Sequence, residues 1–372
     1  KEHLNLLKGR LFLLLCAYSS GISIENPRHK SILDPKYLKC FLILLCMPEP
    51  EQIPNTENFV FKPEFIKRYS ELTDWEDFKK YSLSFLRRSI RVNTLLSSVK
   101  DVKKSIEAKG WKLTPIPWCK EGFWIEHDER RDVGNLLEYH IGKIYVQEAA
   151  SMIPPLVLQP QPGDLVLDMA ASPGSKTTQM AAMMKNEGLI VANDYKGDRL
   201  QSLGINLQRS VTTNCLITLM RGQGIKEMQF DKMLLDAPCS GTGTIRKSLK
   251  TISIWNAGMI TKLAREQKEL IEVAFANLKP GGEMVYSTCS VEPEENEGVV
   301  NYLLEKFEEA EIVKVNLPGL KVSPPVMEFK KEKYHPSVKH VIRIWPQDND
   351  TEGFFVAKIV KSKPTKKLTN EA

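Results

Sequence analysis

The chain reads as an α/β protein: a mostly parallel sheet with helices on both faces, an antiparallel hairpin at its edge, and a small α+β module ahead of it. Three observations predict this. After Gln159-Pro160-Gln161-Pro162-Gly163, short aliphatic runs alternate with longer amphipathic stretches, the pattern of βαβ units. Near the C-terminus, apolar runs at 340–345 and 353–359 flank a polar turn, as two hairpin strands do. Upstream, 85–145 mixes shorter strand-like and helix-like runs that do not continue the βαβ rhythm.

Taken in order, the apolar runs at 11–17 and 41–46 are flanked by Arg10, Lys39 and Pro48. Both are far short of the roughly 20 residues a spanning helix needs, so they read as buried helical segments and no membrane span is expected. The proline-containing stretch 48–55 reads as a linker, and residues 1–57 stay unassigned. From 61 to 86 apolar residues recur at three and four, as in Phe61, Phe65, Tyr69 and Leu72, which predicts helices. A strand over 89–96, a helix over 99–109 closed by Gly110, and strands at 111–115 and 123–125 complete a module spanning 58–145. The domain over 146–360 then carries strands at 165–169, 189–193, 216–219, 232–235 and 284–287, with helices at 175–184, 197–208 and 260–278. The Lys-rich end (Lys358, Lys361, Lys363, Lys366, Lys367) reads as a disordered basic tail, with 361–372 set apart as its own segment.

Composition narrows the class. With 372 residues the chain is long enough for two sizeable cores, and 42% hydrophobic against 26% charged residues is the balance of a globular protein. A formal charge of +6 tolerates a polyanionic partner without requiring one. Seven cysteines at irregular spacing, no C-x-x-C pair and only six histidines argue against a disulfide framework and against a metal site. They fit a reducing, intracellular compartment, hence a cytoplasmic location.

The stretch Ala170-Ala171-Ser172-Pro173-Gly174-Ser175-Lys176 has the look of a phosphate loop, but a P-loop needs a second Gly directly before the Lys, and Pro173 removes a backbone donor. Its place after a strand is more telling, because ligands of open α/β sheets bind beyond the carboxyl ends of the strands. Asp168 ends the first strand, and the following turn opens a helix whose free N–H groups suit an anionic group such as a carboxylate. Asp194, 26 residues further on, ends the second strand, where an acid typically accepts from ribose hydroxyls. A carboxylate at one end and a ribose in the middle describe S-adenosylmethionine, whereas the absence of G-x-G-x-x-G disfavours a dehydrogenase.

The fourth strand ends in Asp236-Ala237-Pro238-Cys239-Ser240-Gly241 and the fifth in Ser287-Thr288-Cys289-Ser290. Two cysteines at neighbouring strand mouths, beside a carboxylate and a methyl donor, suit one chemistry in particular. A thiolate adding to C6 of a pyrimidine turns C5 into an enamine carbon able to attack the methyl group. The C5 proton then leaves, the thiol is expelled, and a carboxyl group near N3 stabilises the adduct.

These residues resemble the Sun/Fmu-type RNA cytosine-C5 methyltransferases. The matching stretches are Arg91-Val92-Asn93-Thr94, 146–152, 168–178, Asp194 with Arg199, 236–241, 279–282, 286–290, 293–297 and Gly353-Phe354-Phe355. The resemblance implies a Rossmann-like class I methyltransferase sheet and an N-terminal RNA-recognition module. It implies Cys289 as the nucleophile, Cys239 as the residue that helps resolve the adduct, Asp236 at the base, and Lys176 within reach of either ligand. It places Ala170, Ala171, Ser172, Pro173, Gly174, Ser175, Lys176, Asp194, Arg199 and Asp236 around S-adenosylmethionine. One departure stands out: Met220-Arg221-Gly222 occupies a place where the family often has an Asp.

The partner expected is RNA, transfer or ribosomal, presenting an unpaired or flipped cytosine to a monomeric enzyme. Arg87, Arg88 and Arg91, and again Arg246, Lys247 and Lys250, form basic clusters suited to phosphates. The rival readings are a non-catalytic RNA-binding assembly factor and a protein methyltransferase, which would need no second cysteine.

Overall fold

The computed structural model describes residues 49–363 apart from 57, 58, 130 and 227; the apolar runs 11–17 and 41–46, Lys366 and Lys367 lie outside the described residues. The stretch expected as a linker is pinned down over its described part. Ile53 N–H donates to Leu83 O (2.9 Å) and Phe85 N–H to Glu51 O (2.8 Å). Two helices follow, α1 (Pro63–Leu72) and α2 (Trp75–Ser82), the second capped by Asp74. Their aromatic residues Phe65, Tyr69 and Phe78 pack with Trp255 and Trp345 of the larger domain.

The small module is a four-stranded antiparallel sheet in the order β2-β3-β1-β4, with β1 (Ser89–Val92), β2 (Lys112–Ile116), β3 (Cys119–Glu126) and β4 (Ile144–Val146). Helix α3 (Val99–Glu107), N-capped by Ser98, buries Val102 and Ile106 among Ile90, Trp111 and Ile125. The strand expected over 89–96 stops at Val92 because Asn93 turns the chain: its side chain accepts from Leu95 N–H and donates to the carbonyls of Gly142 and Ser210. From the other face of the sheet, Ile116, Trp118 and Trp124 join the cluster that holds Val166, Leu234 and Val285 of the larger sheet. At about 1.5–3 kcal/mol for each large apolar side chain buried, this shared core fixes the module against the domain.

The larger sheet has the order β10-β14-β9-β8-β5-β6-β7, with β10 spanning Ala310–Ile312 and β13 (Ile342–Ile344) also paired to β14. Its parallel strands are β5 (Leu165–Asp168), β6 (Leu189–Asp194), β7 (Cys215–Leu219), β8 (Phe230–Asp236) and β9 (Leu278–Thr288). Strand β14 (Phe354–Lys361) runs antiparallel to β9, so the expected edge hairpin of β13 and β14 is present. Helices α4 (Ser175–Met183), α5 (Gly197–Arg209), α6 (Ala257–Ala276) and α7 (Glu297–Lys306) cover the faces. The chain leaves β5 towards β6 and β7, then returns to β8 and β9, which puts the topological switch point between Asp168 and Asp236.

Several elements exceed what the sequence predicts, β4 and the helix Ile153–Leu158 among them. Strand β10 (Ala310–Ile312) pairs with β14, α7 follows the second cysteine, and β11 (Glu328–Phe329) and β12 (Glu332–Lys333) form a small ladder. Strand β9 begins six residues before the expected 284 because a register shift opposite Phe230 and Lys232 takes up Lys279-Pro280-Gly281-Gly282. The tail reading needs correction too. Lys358 lies in β14 and pairs with Glu283, and buried Lys361 ends that strand, donating to the carbonyls of Phe275 and Ala276 at the end of α6 and of Leu278 at the start of β9.

Candidate active site

The strand ends bring the sequence-predicted residues into one row. Cys239 and Cys289, 50 positions apart, face each other with Sγ atoms 3.3 Å apart. Parallel pairing of β8 with β9 sets Asp236 beside Ser287, whose hydroxyl donates to Asp236 Oδ1 at 2.7 Å. Lys176, in the first turn of α4, reaches across the switch point and puts Nζ 2.6 Å from Asp236 Oδ2. Asp168, fully buried at the end of β5, accepts from Thr177 Oγ1 at 2.7 Å.

The electrostatics divide these groups by role. The hydrogen bond to Cys289, then burial, push the Cys239 thiol well above its usual range, so Cys239 holds its proton beside the Cys289 sulfur. Burial disfavours the Lys176 ammonium, but Asp236 against it, with Cys289 and Asp168 in reach, outweighs this and raises its pKa. Burial, with the Asp236 charge adding to it, carries the Asp168 carboxyl up to about 7, against the pull of Thr177 and Lys176.

The predicted cofactor residues form one braced loop. Ala171 N–H donates to Asn193 O (2.7 Å), Ser172 N–H to Asp194 Oδ2 (3.3 Å), and Ser172 Oγ to Arg199 O (2.6 Å). Arg199 pairs with Asp194 at 3.3 Å and donates to Ser172 O, so it holds the loop against the acid. Pro173 O accepts from Asn206, Ser175 O from Arg91, and Ala170 is half-buried at the start of the turn. Gly174 sits at φ +100°, where a side chain would be strained and crowd Leu203.

Two of the expected RNA contacts are not surface groups. Arg91 is buried and donates to Gln147, Ser175 O, Gln179 and Thr178, joining the small module to α4; burial lowers its pKa to about 10. Arg246 is buried, ion-paired to Asp350 at 2.7 Å, and donates to the carbonyls of Phe85 and Thr351. Neither guanidinium is offered to a phosphate. Arg88, Lys247 and Lys250 are exposed, while Arg87 pairs with Glu126 and stacks over Trp124.

A second layer escaped the sequence reading. Glu295 accepts from Ser240 N–H and from the hydroxyls of Ser240 and Ser290, which locks the loop of each cysteine to the other, and Gln267 donates to it as well. Glu292 gathers Tyr69, Arg68 and Trp255, and Glu297 holds Arg343 in a buried pair. The signal was in plain sight, since four glutamates within six residues directly after Cys289 are too many for a solvated turn at a strand mouth.

Strand order, switch point and paired thiols define a class I methyltransferase. The chain belongs to the family described as 16S rRNA methyltransferase RsmB/F, which it matches over residues 155–360, and residues 61–149 match the N-terminal domain of 16S rRNA methyltransferase RsmF. This agrees with the resemblance to the Sun/Fmu-type enzymes. The chain is 50% identical over 301 residues to the tRNA (cytosine(49)-C(5))-methyltransferase of Pyrococcus abyssi, covering 80% of this chain and 96% of that protein. It is 43% identical over 291 residues to Ribosomal RNA small subunit methyltransferase F of a Shewanella species, covering 77% of this chain but only 58% of that protein's length. A solved methyltransferase homolog from Pyrococcus horikoshii superposes with a TM-score of 0.72 at 35% identity, over 88% of this chain and all of that one. Among the described residues no helix is long and apolar enough to cross a membrane, and no group of three His, Cys, Asp or Glu side chains is gathered to hold a metal.

Proposed function

We propose that this protein methylates C5 of an unpaired or flipped cytosine in transfer or ribosomal RNA, as an intracellular monomer using S-adenosylmethionine. The observation that carries the reading is the pair of thiols 3.3 Å apart beside the Lys176–Asp236 ion pair, at the mouth of a class I sheet. The site residues fit the cofactor. The first turn of α4 has no side-chain cap, so its N–H groups are available to a carboxylate. Asp194, held at 3.2–3.3 Å by the amides of Ser172 and Lys196 and by Arg199, keeps lone pairs for ribose hydroxyls. When bound, S-adenosylmethionine supplies an electrophilic methyl group.

Cys289 acts as the nucleophile and its sulfur bonds to C6 of the cytosine, raising electron density at C5, which takes the methyl group. Lys176 and Asp236, fixed by each other and by Ser287, orient the ring at the strand ends. Water takes the C5 proton as the C6–S bond breaks with its electron pair leaving on the Cys289 sulfur, which restores the aromatic ring. Cys239, held protonated beside Cys289, assists that last step. Residues 58–145 serve as the RNA-recognition module and 146–360 as the methyltransferase domain. The test is methyl transfer from labelled S-adenosylmethionine to cellular RNA, with nuclease digestion and mapping of the product. Label in 5-methylcytidine supports the reading, whereas label in protein, or none in any RNA, rejects it.

A further inference from the structure

The same mouth carries a carboxyl that the chemistry above does not use. Glu352, directly before Gly353 and β14, is 4% exposed, and its Oε1 has no hydrogen-bond partner among the described residues. A buried carboxylate oxygen lacking a donor is costly, and native proteins keep few of them. The backbone ties Glu352 to the cysteines. Gly353 N–H donates to Gly243 O (2.9 Å) and Gly243 N–H to Cys289 O (2.9 Å). A Cβ on Gly243 would collide with the Gly353 carbonyl, so this approach is closed to any other residue. The ring of Phe354 lies 5.7 Å from Lys176 Nζ, and the charges acting on the Glu352 carboxyl are those of Lys247, Lys176, Arg246 and Asp236. From behind, Glu352 N–H donates to Glu148 Oε1 (3.2 Å), and Glu148 Oε2 accepts from Ser151 N–H (3.0 Å).

Asp236, by contrast, has both oxygens engaged, one by Lys176 and one by Ser287. We propose that Glu352 determines specificity for cytosine: its free carboxylate oxygen accepts a hydrogen bond from the 4-amino group of the target base, and Glu148 positions it through the Glu352 amide. A carboxylate is the usual acceptor for that amino group, and uracil would set a carbonyl oxygen against it with no proton between. Burial, and then the charge of Glu352, raise Glu148 to about 8, and burial raises Glu352 as well. This inference rests on the cytosine reading above.

The test uses an RNA oligonucleotide containing the mapped cytosine and two versions of it, one with uridine at that position and one with a 2-pyrimidinone nucleoside that lacks the 4-amino group. Products are counted as 5-methyl nucleosides after digestion, for wild type and Glu352→Gln. On cytosine the variant should lose about 10²-fold or more in kcat/KM, and on the pyrimidinone less than about threefold, because the contact is already absent there. The cytosine-to-uridine ratio should fall by at least about 10²-fold, since an amide can donate to the uracil carbonyl. Equal losses on cytosine and pyrimidinone, with an unchanged cytosine-to-uridine ratio, overturn the proposal and leave Glu352 a structural clamp. Wild type alone can also overturn it, by methylating the pyrimidinone as fast as cytosine, so the inference survives as a test even if the variant fails to fold. A wild type inactive on every cytosine RNA overturns the cytosine reading itself.

Discussion

The two ends of the row of strand tips are built on different principles. At the β8 and β9 end, the polar groups are tied more than once: Asp236 to Lys176 and Ser287, Glu295 to Ser240, Ser290 and Gln267. At the β6 and β7 end, Asn193 and Asp194 hold the loops, but the edge strand beyond them leaves Leu216 at 53% and Leu219 at 56% exposure, with Met220 and Arg221 further on. The difference teaches where geometry matters. Covalent chemistry at a thiolate tolerates little misplacement, so its groups are over-determined, while the open edge has few polar groups to place.

The sharpest way to break the comparison is Asp236→Asn, which removes the charge facing Lys176 without changing shape. Methyl transfer should fall by about 10³-fold or more while S-adenosylmethionine binding by calorimetry changes little. A loss under tenfold would mean the tied end is no more demanding than the open one. Next in size, Arg246→Ala should cost about 3–5 kcal/mol in urea unfolding, because it strands buried Asp350 and the carbonyls of Ser84, Phe85 and Thr351. If it instead weakens RNA binding with stability intact, Arg246 belongs to the RNA surface after all.

Asp168 sharpens the contrast through pH. Its folded pKa of about 7 lies above the unfolded value, so the native state holds the extra proton. That contribution is complete below about pH 4 and is lost as pH rises to about 7, a swing on the order of 4 kcal/mol. Asp168→Asn, which keeps an acceptor for Thr177, should therefore lose less stability than wild type between pH 5 and 8, read as Tm against pH. Parallel curves would refute the assignment. The smallest effect belongs to exposed Lys247→Ala, expected to weaken RNA binding about two- to threefold and to flatten the salt slope by about one, with stability unchanged.

Much of this was legible beforehand because it is local. Five aliphatic runs announced the parallel strands, and Asp168, Lys176, Asp194, Asp236, Cys239 and Cys289 stood where strand ends hold function. What stayed hidden depends on partners far along the chain. Arg91 looks like a phosphate ligand until Gln147, Thr178 and Gln179 surround it, and Arg246 until Asp350 does. Strand β10 has three residues, too few for a period, and α7 carries Gly298 and paired valines that mask its helical pattern. Lys361 reads as tail because only the end of α6 shows what its ammonium binds.

The most direct test of the assigned thiol roles is a denaturing gel of Cys239→Ala and Cys289→Ala after incubation with RNA and S-adenosylmethionine. Cys239→Ala should accumulate a covalent protein–RNA adduct, and Cys289→Ala should form none and transfer no methyl group. An adduct in Cys289→Ala and none in Cys239→Ala would reverse the roles of the two thiols and contradict the account.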